Sequence, residues 1–227
     1  KLIDKKKNVP ILHKLYGAFI IGIAVTAAST GFSVYGTIHA RQMTTRSYDI
    51  SVDKHVDDIS SLNVVLVADL HLGYSIGCSD MEKMVDRINA LNPDVVIYAG
   101  DIFDNDYDAL DDPERLVEIM RNVSAAYGSY AVFGNHDVTE TLVGGFSTAS
   151  RTKAFRDPRM EAFLRQAGIN IMLDEVTTIA DGKINLIGRL DGEKAGDGTS
   201  NRKDLSELVK QCDMSKPVIV INHEPDK

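Results

Sequence analysis

Three of the six histidines, His71, His136 and His223, stand in short polar clusters that each follow an apolar run. The clusters are Asp69-Leu70-His71, Gly100-Asp101-Ile102-Phe103-Asp104, Gly134-Asn135-His136-Asp137 and Asn222-His223-Glu224-Pro225-Asp226. Carboxylate and amide oxygens with imidazole nitrogens are ligands for divalent cations, and imidazole also moves protons near neutral pH. Taken singly, each cluster also reads as a turn, because Asp-x-His, Gly-Asp and Gly-Asn are routine after strands. Taken together they crowd several carboxylates, and a divalent cation removes the repulsion and desolvation cost of doing so. A donor set without thiolate favours Mn, Fe or Zn. Cys78 and Cys212 belong to no CxxC or Cys/His cluster, which excludes a zinc finger and leaves two free thiols or one disulfide.

The elements that must carry these clusters alternate. Val64-Val65-Leu66-Val67-Ala68 and Val95-Val96-Ile97-Tyr98-Ala99 are short β-branched runs of the kind that form buried strands. Between them, Ser79 and Glu82 have capping-box spacing, and Met81, Met84, Val85, Ile88 and Leu91 keep one apolar face until Asn92-Pro93. Asp112-Pro113 opens the next helix, with a stripe of Leu116, Val117, Ile119, Met120 and Val123 and an expected end at Gly128. Tyr130-Ala131-Val132-Phe133 is the third strand; Asp157-Pro158 starts a helix closed by Gly168, before a strand over 169–173. Strand–helix alternation implies parallel neighbours with right-handed crossovers, and such sheets bind ligands at the carboxyl ends of their strands. The segments 176–180 and 183–187, joined by Asp181-Gly182, read as a hairpin with a type I′ turn. A helix over 204–211 and the run Val218-Ile219-Val220-Ile221 follow. The fold class is therefore α/β, with the four clusters meeting at one sheet edge.

The motifs DLH, GDIFD and GNHD, in that order and about thirty residues apart, make residues 60–227 resemble the calcineurin-like metallophosphoesterases, and most of all their membrane-anchored or exported bacterial branch. The resemblance implies a four-layer αββα sandwich with two divalent metal ions. It implies that Asp69 and His71 hold the first metal, Asp101 bridges both, and Asn135 and His223 hold the second. It assigns His136 as proton donor to the leaving oxygen, oriented by Asp104, three residues after the bridging aspartate. A metal pair of this kind activates water for in-line attack on phosphorus. Asp137 matches a family Asp/Glu position and is given no chemistry. The family's further Gly-His-x-His element is not reached before Lys227, so the sequence is expected to be a fragment truncated at both ends, with full activity belonging to the complete protein.

The N-terminal part differs in kind. Leu15 to Ile38 are 24 residues without a charge, preceded by Lys5, Lys6, Lys7 and Lys14. At 1.5 Å per residue this run reaches about 36 Å, more than the ~30 Å hydrocarbon core of a bilayer. It reads as a membrane helix; a signal peptide cleaved near Ala27-Ala28-Ser29 and a buried helix are the alternatives. Five Lys precede the run and Arg41 and Arg46 follow it, which expects the N-terminus in the cytoplasm and residues 41–227 outside the cell membrane. The organisation expected is a basic flank (1–14), a transmembrane helix (15–38), a linker (39–60) and the metallophosphoesterase domain (61–227).

Net charge is −8, yet residues 1–50 hold seven Lys/Arg against two acids, leaving −13 for the rest. So acidic a body argues against nucleic acid as a partner. The stretch 139–156, with Arg151, Lys153 and Arg156, reads either as a cationic lid for a phosphate head group or as solvated loop, and Arg189 is another candidate anion contact. Asp106, Asp108, Asp111 and Asp112 lack the glycine and terminal glutamate of an EF-hand and read as surface and helix cap. The expected substrate is a phosphorylated small molecule or a lipid-linked phosphate, the latter from the membrane anchor alone. Competing readings are a catalytically silent metal-binding or scaffold domain and an accessory subunit of a membrane transporter.

Overall fold

The computed structural model describes residues 9–40, 42–140, 142–143, 146–147, 154–198 and 201–225. The chain divides into two compact units, Lys1–Tyr48 and Asp49–Lys227.

The first unit is dominated by helix α1, Val9–Ala40. From Lys14 to Ala40 it is long and apolar enough to cross a membrane, and among the described residues of the unit nothing covers it: Leu15, Phe19, Ile20, Ile21, Val25 and Phe32 are all exposed. Its hydroxyls turn inward, Ser33 Oγ donating to Ser29 O and Thr37 Oγ1 to Ser33 O, which hides polar groups against the helix's own carbonyls.

In the second unit, strands β1 (Val64–Val67), β2 (Val95–Ala99), β3 (Ser129–Val132) and, later in the chain, β6 (Ile169–Ile171) form one parallel sheet in the order β1-β2-β3-β6. All five residues of β2 are buried, as expected of an inner strand covered on both faces. Helices α2 (Cys78–Ala90), α3 (Pro113–Arg121) and α4 (Pro158–Gln166) supply the crossovers and bury the stripes Met81/Met84/Val85/Ile88, Leu116/Val117/Met120 and Met160/Phe163/Leu164. Between β3 and α4 lies a short antiparallel pair, β4 (Leu142–Val143) and β5 (Phe146–Ser147). A second sheet joins β7 (Glu175–Ile179) antiparallel to β8 (Ile184–Gly188), which pairs parallel with β9 (Val218–Ile221). The inward residues of both sheets, among them Val95, Ile97, Ala99, Val132, Ile179, Ile184, Leu186 and Ile221, form one shared core. On the outer face of the second sheet, Asn185 binds Asp213 through both its backbone N–H and O, after the short helix α5 (Leu205–Val209). The result is the expected α/β arrangement of helices, sheet, sheet and helix.

Several boundaries move for identifiable reasons. Helix α2 starts at Cys78 with Gly77 as its N-cap, so Ser79 is helical and forms no capping box. Asp111, from the loop before α3, instead accepts the Cys78 N–H. Helix α3 stops at Arg121, well before Gly128, because Asn89 of α2 holds Asn122 O and Ser124 N in a turn. The hairpin has Asp181 and Gly182 at positive φ as expected, but Ala180 joins them at φ 53°, and four residues separate the strands. Both Cys78 and Cys212 are free thiols.

Asp112 and Asp157 cap α3 and α4, each followed by a proline at the first helical turn. Asp157 accepts from Arg159 N at 2.8 Å. Asp157→Ala is expected to cost about 0.5–2 kcal/mol of domain stability in reversible urea denaturation, the range for loss of a side-chain cap.

Candidate metal centre

The polar clusters leave β1, β2, β3 and β9 at the carboxyl ends of strands that run parallel to their neighbours. Sharp turning there places Asp69, His71 and Asp101 in the left-handed region, at φ 55°, 47° and 51°. Non-glycine residues rarely hold this conformation, and it concentrates at functional sites. The surrounding backbone fixes it. Asp69 N donates to Gly100 O, His71 N to Asp101 O and Leu72 N to Ile102 O, so the loops after β1 and β2 continue their strands as a laced pair. The loop after β2 is tied in turn to the loop after β3 by Asn105 N to His136 O.

Asp101 is the hub. It is 3% exposed, and its Oδ1 accepts the backbone N–H of His136 at 2.8 Å. Its Oδ2 lies 3.3 Å from His223 Nε2 and 3.8 Å from His71 Nε2, between the two rings. His223 Nδ1 donates to Ala99 O at 2.8 Å, which leaves Nε2 turned to Asp101 and to Asn135 Oδ1, 3.3 Å away. Ligand atoms of Asp69, Asp101 and His223 fall within 4.8 Å of one another, and so do those of His71, Asp104 and His136. The rings of His71 and His136 meet edge to face at 5.1 Å.

Two aspartates of this loop system behave oppositely. Burial pushes the Asp101 carboxyl upward, but the bond to His223 and the His136 N–H outweigh it and hold it below the usual range. His223 is correspondingly raised to about 9 by its hydrogen bond to Asp101. A proton and a metal therefore compete for its Nε2. Asp137 is fully buried, and burial pushes it up to about 7 against two backbone donors, Phe103 N and Gly134 N, both at 2.7 Å.

All seven residues singled out in the sequence lie in this region, with differences in detail. Asp69 groups with Asp101 and His223, whereas the resemblance pairs it with His71. Asp104 Oδ1 is 3.7 Å from His71 Nδ1, while the Nδ1 of His136 is hydrogen-bonded to Asn105 Oδ1 at 2.6 Å. The ring of His136 is thus held by an amide where a carboxylate was expected, because Asn105 is buried under the loop and Asp104 is half-exposed beside His71. Asn105 is the residue sequence reasoning missed, and Asp137 the one it matched to a family position without giving it a role. Neither follows from periodicity; the one signal was that Asp137 stands next to His136 in GNHD.

Of the proposed lid, Arg151 and Lys153 lie outside the described residues. Arg156 is not a free cation: it is buried, stacks 3.7 Å over the Phe133 ring, donates to Ala195 O and pairs with Glu161. Arg189 is likewise buried, donating to Lys203 O. Asp226 lies outside the described residues, and Glu224 is exposed.

The donor set fits divalent cations. Asp101 is a buried carboxylate between two imidazoles, flanked by further carboxylate and amide oxygens, with no thiolate near: hard and borderline ligands that suit Mn, Fe or Zn.

Parallel strands tipped with such ligands, packed on a second sheet, define a metal-dependent hydrolase scaffold, and comparison with known proteins agrees. The signature described as calcineurin-like phosphoesterase matches residues 62–227, and the chain belongs to that family of metal-dependent phosphoester hydrolases. It is 28% identical to a transmembrane protein with metallophosphoesterase domain from Danio rerio, over 91% of this chain and 44% of that protein. It is 25% identical to the uncharacterized metallophosphoesterase YkuE of Bacillus subtilis, over 99% of this chain and 71% of that one. It is 23% identical to the UDP-2,3-diacylglucosamine pyrophosphatase LpxG of Chlamydia trachomatis, over 78% and 61%. The chain thus spans less than half of the first relative.

Proposed function

We propose that this chain carries the catalytic centre of a phosphoester hydrolase that works with two divalent cations bridged by Asp101. The observation that supports this most is the position of Asp101 Oδ2 between His71 Nε2 and His223 Nε2. Asp69, His71, Asp101, Asn135 and His223 are the proposed ligands. Bound there, two cations would acidify a water and draw charge from the phosphoryl oxygens. The chain's own groups do the rest. Asn135 offers a neutral oxygen, which leaves the site able to accept an anionic phosphate. Asp101, buried and fixed by the His136 N–H, keeps one oxygen committed to the backbone and turns the other to the imidazoles. His136 stands across from His71 as the proton donor to the leaving oxygen.

The substrate is proposed to be a phosphate or diphosphate ester, with a lipid-linked one favoured by helix α1 and by the pyrophosphatase among the relatives. With α1 as a membrane span, the charges around it put the domain outside the cytoplasm.

Asp101→Asn tests the reading. It should lower kcat/KM on a p-nitrophenyl phosphate ester by more than about 100-fold, beyond the usual 10–100-fold effect of outer-shell partners, and reduce bound metal from about two ions per chain. An inactive wild-type protein with Mn supplied, or a variant with unchanged metal content and rate, would overturn it. One ion or none in the wild type would instead favour a silent scaffold.

A further inference from the structure

We infer that Asn105 is the positioning residue for His136, fixing which ring nitrogen can give up a proton; the inference rests on the hydrolase reading above. Asn105 is 1% exposed and uses every hydrogen-bonding group it has. Its backbone N–H donates to His136 O and its carbonyl accepts from Glu140 N. Its side-chain Nδ2 donates to Val138 O at 3.2 Å, and its Oδ1 lies 2.6 Å from His136 Nδ1.

This network has one consistent polarity. Val138 O is a carbonyl and only accepts, so the amide nitrogen must face it and the amide oxygen must face His136. An amide oxygen also only accepts, so His136 Nδ1 carries the hydrogen. Nε2 is then the nitrogen through which a proton is exchanged. In the hydrolysis, the water oxygen bonds to phosphorus and the P–O ester bond breaks with its electron pair on the leaving oxygen. That oxygen takes the proton that Nε2 carries in the doubly protonated ring, which leaves the neutral Nδ1–H form; the attacking water yields one proton to solvent, and Nε2 regains one from solvent. Asn105 touches none of the reacting atoms; it aims the ring through Nδ1. Because it is a neutral amide it does so without adding negative charge beside a site that already holds Asp69, Asp101 and Asp104.

The demand for a donated proton depends on the leaving group. A p-nitrophenolate departs unaided, whereas an alkoxide must be protonated as it leaves. In the full chain loaded with Mn, Asn105→Ala should cut kcat on an alkyl phosphate ester by about 10²–10⁴-fold, the scale of lost general-acid catalysis. On the matching p-nitrophenyl ester the loss should stay below tenfold, with KM and metal content unchanged. Asn105→Asp, which keeps an acceptor at Oδ1 but sets its second oxygen against the Val138 carbonyl, should restore part of the alkyl-ester rate. Independently of activity, two-bond ¹H–¹⁵N correlations of the metal-free chain should show His136 as the Nδ1–H form in the wild type. In Asn105→Ala the same correlations should show a mixture of forms.

Equal losses on both esters, no loss on either, or an Nε2–H ring in the wild type would each overturn the assignment. A wild type inactive on both esters overturns the hydrolase reading alone, and the ring spectrum still decides the role of Asn105. Should the alanine variant lose its fold, the aspartate variant and the wild-type ring spectrum carry the test.

Discussion

Gly134→Ala is expected to abolish tight metal binding. A β-carbon at this position would overlap Asp101 Oδ1, and it would stand 2.6 Å from Asp101 N and 2.7 Å from His223 Cδ2. A side chain can turn away from such an intrusion, but the Asp101 backbone cannot, since Asp69 and His71 are laced to the carbonyls on either side of it. The two residues displaced are the buried hub carboxylate and the imidazole beside it. The loss of metal affinity should reach at least the 10–100-fold seen when supporting groups of metal ligands are removed. The fold should survive, because overpacking one methyl costs about 1–3 kcal/mol against a domain stability of roughly 5–15 kcal/mol. Calorimetric titration with Mn, paired with urea denaturation, separates the two effects. Unchanged affinity would show that the loop yields, and that the close approach of Gly134 to Asp101 has no part in shaping the site.

Asp137→Ala is expected to give the largest loss of stability of any single change near the site. Its carboxylate accepts from Phe103 N and Gly134 N inside the protein, where no water reaches. Truncation leaves both donors unsatisfied at about 1–3 kcal/mol each, so roughly 2–6 kcal/mol in total. At about 2–4 °C per kcal/mol for a domain of this size, the melting temperature should fall by about 4–24 °C. Asp137→Asn keeps one acceptor and should cost about half as much. A loss below about 1 kcal/mol for the alanine variant would mean that the two N–H groups find other partners. The strong upward push on this carboxyl has the same origin as its structural value: burial opposes its charge, and only the two backbone donors counter it.

Features encoded locally were legible in the sequence. The run Val95–Ala99 is strand to the residue, and Asp-Pro marked the starts of α3 and α4, because buried strands and proline-led helices depend on a few adjacent side chains. Convergence of the first three clusters followed from parallel topology; the fourth was expected at the same sheet edge, but β9 belongs to the second sheet, and His223 joins the others because the two sheets pack around one core. What escaped were contacts between residues thirty or more apart. Asp111 replaced the expected cap of α2, Asn89 ended α3 early, and Asn105 took the Nδ1 of His136, 31 positions away. Asn105 stands one residue past the Asp104 that the resemblance singled out, and a left-handed backbone at φ 57° carries it inward while Asp104 stays at the surface. No period or propensity reports such a swap between neighbours. Arg156 was misread for a related reason: a cation in a polar stretch looks solvated until Phe133 and Glu161 are found around it.

The lacing of the three loops by Asp69 N, His71 N, Asn105 N and the Asp137 carboxylate bears on how proteins of this shape can diverge. A one-residue insertion in any of these loops would slip every bond in the lattice, so their lengths are locked together. The opposite rim of the sheet, where the chain enters its strands, is laced as well: Asp94 N donates to Asn63 O, Asn63 N to Asp94 Oδ2 and Tyr127 N to Asp94 O. Growth in size, new domains and lineage-specific decoration are therefore expected away from both rims, where added residues leave the chemistry in register.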